Sequence, residues 1–121
     1  GTFNNSSDRN LKQGFNAISP ASILEQVAQL PISEWSYKED ATTRHIGPTA
    51  QDFQAAFKIG TDDKHIAPLD EGGVALAAIQ GLNRKFEDGA AVLRAENQEL
   101  KRALAELKAI VANLQSISAR N

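Results

Sequence analysis

Ser7 and Lys12 stand five apart in Ser6-Ser7-Asp8-Arg9-Asn10-Leu11-Lys12 and offer a nucleophile with a base. A serine hydroxyl is a weak nucleophile until a base takes its proton. A lysine can do so only as the neutral amine, which requires desolvation or a neighbouring cation. Serine and lysine at this spacing are common, and the residues have a plainer use. Ser7 or Asp8 can bond to backbone amides ahead of a helical turn and cap it. On the residues alone the capping turn is the first reading and the Ser/Lys dyad the second. His45 and His65 could share a metal, but lone histidines on strand-like segments are more often structural. Asp62-Asp63 lacks a calcium-loop ligand pattern and reads as a solvated turn, as does Glu39-Asp40. No cofactor and no metal site follow from any of these residues.

The segments around Ser7 and Lys12 fill the first half of the chain. Residues 1–6 read as an upstream lead-in or tag remnant. The polar GTFNNSSDRN stretch offers side-chain bonds that compete with regular structure and reads as extended. Ser19 is a good N-cap and Pro20 suits a first helical position, while Ile23, Leu24, Val27 and Leu30 share one helical face before Pro31 stops the run. Trp35 and Tyr37 alternate with Glu34, Ser36 and Lys38, the period of a strand with one buried face. The polar run Glu39–Thr43 reads as a turn or loop. Arg44–Pro48 reads as a second short strand, followed by a helix from Pro48 to Lys58 with Phe53, Ala56 and Phe57 on its apolar side. Lys64-His65-Ile66-Ala67-Pro68 repeats the pattern of Arg44–Pro48, and a pair of short strands in one small sheet is the simplest expectation.

From about Gly73 the texture changes. Ile79, Phe86, Leu93, Leu100, Leu107 and Leu114 recur every seven residues. If these are d positions, Asn83, Ala90, Asn97, Leu104, Val111 and Ser118 are the a positions. A strict seven-residue period implies a left-handed coiled coil. A helix from Gly73 to Ser118 would be about 70 Å long at 1.5 Å per residue and needs partners to cover its seam. Leu82 and Ile110 at g widen the stripe, which suits three or more helices better than two. Glu96 at g and Lys101 at the following e can pair between parallel chains, and Asn97 would fix register. Gly81 and Gly89 each weaken a helix by about 1 kcal/mol and mark a bend or a close approach.

Composition sets the outer limits. The chain has 121 residues, no cysteine, no methionine, 6% aromatic residues and a formal net charge of −2. Cysteine chemistry is therefore absent, and there is no basic field of the kind that attracts nucleic acid. The longest apolar stretch, Val74–Ile79, is far shorter than the roughly 20 residues a bilayer requires, so neither nucleic acid nor membrane is an expected partner. A chain without methionine reads as a piece of something longer. A head of about 65 residues is marginal alone and would borrow stability from association.

The order Ser7-Asp8-Arg9-x-Leu11-Lys12, a short helix, Trp35-Ser36-Tyr37-Lys38, His45-Ile46-Gly47-Pro48-Thr49-Ala50-Gln51-Asp52-Phe53 and Ala77-Ala78-Ile79-Gln80-Gly81-Leu82 resembles one family, from Ser7 to about Leu82. It is similar to the C-terminal intramolecular chaperone domain of phage tail spikes and fibres, also called the endosialidase-type self-cleaving S74 peptidase domain. The resemblance implies a module that brings three chains together, helps an upstream β-rich fibre fold, and in many members cuts itself off just before the motif serine. It makes Ser7 the nucleophile, Lys12 the base, Asp8 a supporting residue and Ser6–Ser7 the scissile bond. A dyad completed only in the trimer would make cleavage a report of assembly. A fully processed product would begin at Ser7, whereas residues 1–6 precede it here.

The expected architecture is α+β: a small mixed head of short helices and strands over 7–72, then a coiled-coil helix over 73–121 that forms a parallel trimer. The expected function is an intramolecular chaperone for an upstream fibre or spike segment of the same polypeptide, with single-turnover self-cleavage. The alternative is a non-cleaving trimerisation cap that stays attached. The expected location is a virion tail fibre or an extracellular bacterial surface, with release of the domain after assembly in the cleaving case.

Overall fold

The computed structural model describes residues 6–120; of the lead-in at 1–6, residues 1–5 lie outside the described residues. A single 3-10 turn, Arg9–Leu11, precedes helix α1 (Pro20–Gln29), strands β1 (Ser33–Tyr37) and β2 (Asp40–Gly47), helix α2 (Ala50–Phe57) and the long helix α3 (Pro68–Arg120). A small head of short helices and an antiparallel strand pair followed by one long C-terminal helix is the α+β architecture expected from the sequence. Contacts within the chain divide it into a unit ending at Arg84 and a unit beginning at Lys85.

α1 forms where its signals place it. Ser19 Oγ accepts from Ser22 N and Pro20 takes the first position. Ile23, Leu24, Val27 and Leu30 are half-buried while the residues between them are exposed. α2 opens under Thr49, whose hydroxyl accepts from Asp52 N at 3.2 Å. It closes on Lys58, held in the left-handed region at φ 55°. α2 packs against α1 and buries Phe53, 4% exposed, with the Phe57 ring 4.9 Å from it.

β1 and β2 pair Ser33 with Gly47, Glu34 with Ile46 and Trp35 with His45. The register shifts between Trp35 and Tyr37, because Tyr37 pairs with Asp40. The sequence reading of Glu39–Thr43 as a loop is therefore corrected: the turn is tight and β2 starts at Asp40. The cause is the Asp40 carboxylate, which accepts from the Thr42 hydroxyl at 2.8 Å and from the Thr42 and Thr43 amides at 3.3 Å. These local bonds hold the extra residues as a bulge inside the strand.

Lys64–Pro68 is not a strand, contrary to the repeat with Arg44–Pro48. Asp62 Oδ1 accepts from the amides of Lys64 at 2.8 Å and His65 at 3.0 Å, so the donors a ladder would need are engaged in a local turn. Pro68 then opens α3, five residues before the expected start near Gly73. Pro68 suits the first helical position, and Asp70 and Glu71 in the first turn favour the helix N-terminus. The Gly72-Gly73 pair is carried inside the helix rather than breaking it.

The core is small. Phe53, Ala77 and Ala78 are the buried hydrophobic residues, joined by Pro20 and Gly81. A Cβ on Gly81 would overlap the Pro20 carbonyl oxygen and come within 3.1 Å of Leu24 Cβ. Gly81 is thus a close approach between α3 and the start of α1, and the small residues Ala77 and Ala78 share its buried surroundings. Among the described residues no helix is long and apolar enough to cross a membrane.

Candidate functional site

The 3-10 turn at Arg9–Leu11 is built from a few bonds. The Asp8 carboxylate accepts from Asn10 N at 2.9 Å, and the Asp8 and Arg9 carbonyls accept from Leu11 N at 3.0 Å and Lys12 N at 3.2 Å. The chain then leaves in an extended conformation at Lys12, φ −114° and ψ 153°. Folding the backbone over this short distance returns the lysine to the serine: Lys12 Nζ donates to Ser7 Oγ at 2.6 Å. The two uses read from the sequence therefore coexist. Asp8 caps the turn, and Ser7 and Lys12 meet across it.

The pair meets within one chain, so geometry alone does not await a partner. Ser7, Asp8 and Lys12 are all exposed. The bond has the polarity of an ammonium donating to a hydroxyl oxygen; proton abstraction runs the other way along the same line.

A second group of polar and aromatic residues lies on the hairpin. The His45 ring stacks on Trp35 with centroids 4.9 Å apart and planes at 29°, and Tyr37 meets both rings edge-on. This packing gives His45 a structural place. Tyr37 keeps these ring contacts and nevertheless stays 61% exposed, at the end of β1. Trp35 Nε1 is buried and has no hydrogen-bond partner among the described residues. It borders an open cleft of about 410 Å³ lined also by Ile46, Pro48, Lys64 and Glu71. On the other face Arg44 Nε meets Glu34 Oε1 at 2.9 Å, with both side chains more than half exposed; such a pair contributes little.

His65 has a different neighbour: its Nδ1 lies 3.0 Å from the Asp62 carboxylate. The Lys64 amide and His65 hold the Asp62 carboxyl below its ordinary range. Among the described residues no group of three or more histidine, aspartate or glutamate side chains is placed to hold a metal ion.

The third surface is the seam of α3. Every described residue from 91 onward is exposed. The apolar a and d residues of this stretch are bare, from 44% for Val111 to 66% for Leu100. The heptad frame also extends farther back than the sequence reading took it. Leu69 and Leu76 fall at a positions and are 48% and 66% exposed, and Ile79 at d is 61% exposed. The buried residues of the same stretch, Ala77, Ala78 and Gly81, fall at b, c and f. The head's own packing thus occupies the outer positions of the helix and leaves Leu69, Leu76 and Ile79 on the a/d line exposed. Sequence reasoning missed Leu69 and Leu76 because Gly72, at d, interrupts the apolar series. The small residues at b, c and f were the signal that a second face was in use.

A small α+β head with a Ser–Lys pair at its start, carried on a heptad helix, is the class these features define. Residues 7–58 match the model of the peptidase S74 family, described as chaperone of endosialidase, the family whose resemblance the sequence carries. The match opens at Ser7 and ends at the C-cap of α2, short of the Leu82 limit read from the sequence. No curated protein matches the chain.

Proposed function

We propose that this chain is an intramolecular chaperone that gathers three copies of itself, aids folding of an upstream fibre or spike segment of the same polypeptide, and then cuts itself once between Ser6 and Ser7. The observation that carries the reading is Lys12 Nζ at 2.6 Å from Ser7 Oγ, on the residue at which the family match begins. The chaperone role takes its support from the family's description. The trimer takes its support from the bare seam, widened by Leu82 and Ile110 at g, each 56% exposed. Stripes of that width suit three helices better than two.

In the proposed reaction Ser7 Oγ attacks the carbonyl carbon of Ser6. Lys12 takes the hydroxyl proton and delivers it to the Ser7 nitrogen as the C–N bond breaks, leaving an ester between the Ser6 acyl group and Ser7 Oγ. Water opens the ester to a Ser6 carboxylate and a free Ser7 hydroxyl. The chemistry turns over once and needs no substrate pocket. Lys12 must first shed its own proton, and burial favours the neutral amine. Three chains closing over the exposed turn would supply that burial, so assembly would gate protonation rather than geometry.

Non-local β pairing is slow and exposes strand edges, whereas a coiled coil forms from local contacts. Bringing three C-termini into register raises the effective concentration of the segments above them. The location that follows is a phage tail fibre or a bacterial surface fibre. The exposure of Ser7 and Lys12 in the single chain favours one rival, a cap that trimerises and never cuts.

The test is the intact mass of the chain produced with its native upstream segment, beside Ser7→Ala and Lys12→Ala. A fragment beginning at Ser7, lost in both variants, is the expected result. A single uncut mass for all three in a properly assembled trimer would leave the permanent cap.

A further inference from the structure

We infer that Asp8 is a positioning residue for the Ser7–Lys12 pair, acting by capping the turn that returns Lys12 to Ser7 and not through its charge; the inference rests on the self-cleavage reading above. Five residues of extended chain span about 17 Å, yet Lys12 Nζ sits 2.6 Å from Ser7 Oγ. The turn closes that separation. It consists of three residues, Arg9–Leu11, too few for a helical turn to hold itself in water. The Asp8 side chain fixes its start through Asn10 N at 2.9 Å, while the Asp8 carbonyl receives Leu11 N at 3.0 Å. One residue thus anchors the turn through both its carboxylate and its backbone.

The sign of the electrostatics separates the two roles. An anion beside a lysine favours the charged ammonium, and an ammonium cannot take the serine's proton. A carboxylate acting through charge would therefore oppose the base. Asp8 Oδ1 is instead spent on a backbone amide, where aspartate and asparagine cap about equally well.

The experiment follows cleavage at Ser6–Ser7 by intact mass, in the assembled chain with its native upstream segment, for wild type, Asp8→Ala, Asp8→Asn and Asp8→Glu. Asp8→Ala slows cleavage about fivefold, the loss in population that a missing cap produces. Asp8→Asn recovers the rate and its pH–rate profile superimposes on that of the wild type. Asp8→Glu keeps the charge but overshoots the Asn10 amide, and stays slow. Recovery by Asp8→Glu with failure of Asp8→Asn, a displaced profile in Asp8→Asn, or full speed in Asp8→Ala would each overturn the positioning role while leaving self-cleavage intact. A wild-type chain that never cuts overturns the self-cleavage reading itself, and is seen before any Asp8 variant is compared.

Discussion

Gly81 and Gly89 stand in the same helix and in different surroundings. A Cβ at Gly89 meets nothing within 4 Å, whereas one at Gly81 runs into the Pro20 carbonyl. An alanine gains about 1 kcal/mol over glycine in a helix interior. At Gly89 nothing opposes that gain, so Gly89→Ala should raise the melting temperature. At Gly81 the obstacle is backbone, which cannot rotate away, and overpacking of this kind costs roughly 1 to 3 kcal/mol. Gly81→Ala should therefore melt below the wild type despite the better helix former. Thermal unfolding of the two variants side by side checks the close approach, and a Gly81→Ala chain as stable as Gly89→Ala would contradict it. Ser7 and Lys12 show the same dependence on surroundings: their spacing was visible in the sequence, but their meeting depends on a backbone turn whose cap could equally have been Ser7 or Asp8.

At the scale of elements, legibility followed how local the cause was. α1 was readable because Ser19, Pro20, the Ile23–Leu30 stripe and Pro31 all lie within the element they define or immediately at its ends. β2 and the segment before α3 were misread for one shared reason. In both, an aspartate captures the amides that follow it: Asp40 those of Thr42 and Thr43, Asp62 those of Lys64 and His65. Such capture is compatible with a bulged strand in one case and forecloses a strand in the other, and residue type alone does not separate the outcomes. The Asp40 bonds have a pH consequence. The hydroxyls of Thr43 and Thr42, then their amides, hold the carboxyl below its ordinary 3.8. A folded value depressed below the unfolded one gives stability that is complete above the ordinary carboxylate range and disappears as pH falls through the folded value. An NMR titration should show the Thr42 and Thr43 amides moving together with a midpoint below 3.8. A midpoint at or above the ordinary value would mean that the bulge is not held by the carboxylate.

For the molecule as a whole, the distribution of apolar residues matters more than any single bond. The head buries few hydrophobic residues of its own, while Leu76, Ile79 and Phe86 on α3 stay 61–74% exposed. A contiguous apolar line left uncovered at a surface marks an interaction site, and the proposed use is the three-chain seam. Asp at Leu100 and Leu107 would place charges on adjacent d layers, and an uncompensated buried charge costs about 3 to 5 kcal/mol. Leu100→Asp with Leu107→Asp should therefore sediment as a monomer and leave an attached upstream fibre segment insoluble. Arg102→Asp, an equally severe charge change at an outward f position, should assemble as the wild type does. If the double variant still forms the wild-type assembly, the seam is not the interface. If it sediments as a monomer while the upstream segment folds normally, the helix associates but the chaperone role falls. Loss of both together, with Arg102→Asp unaffected, is the outcome that ties folding of the upstream segment to assembly through α3.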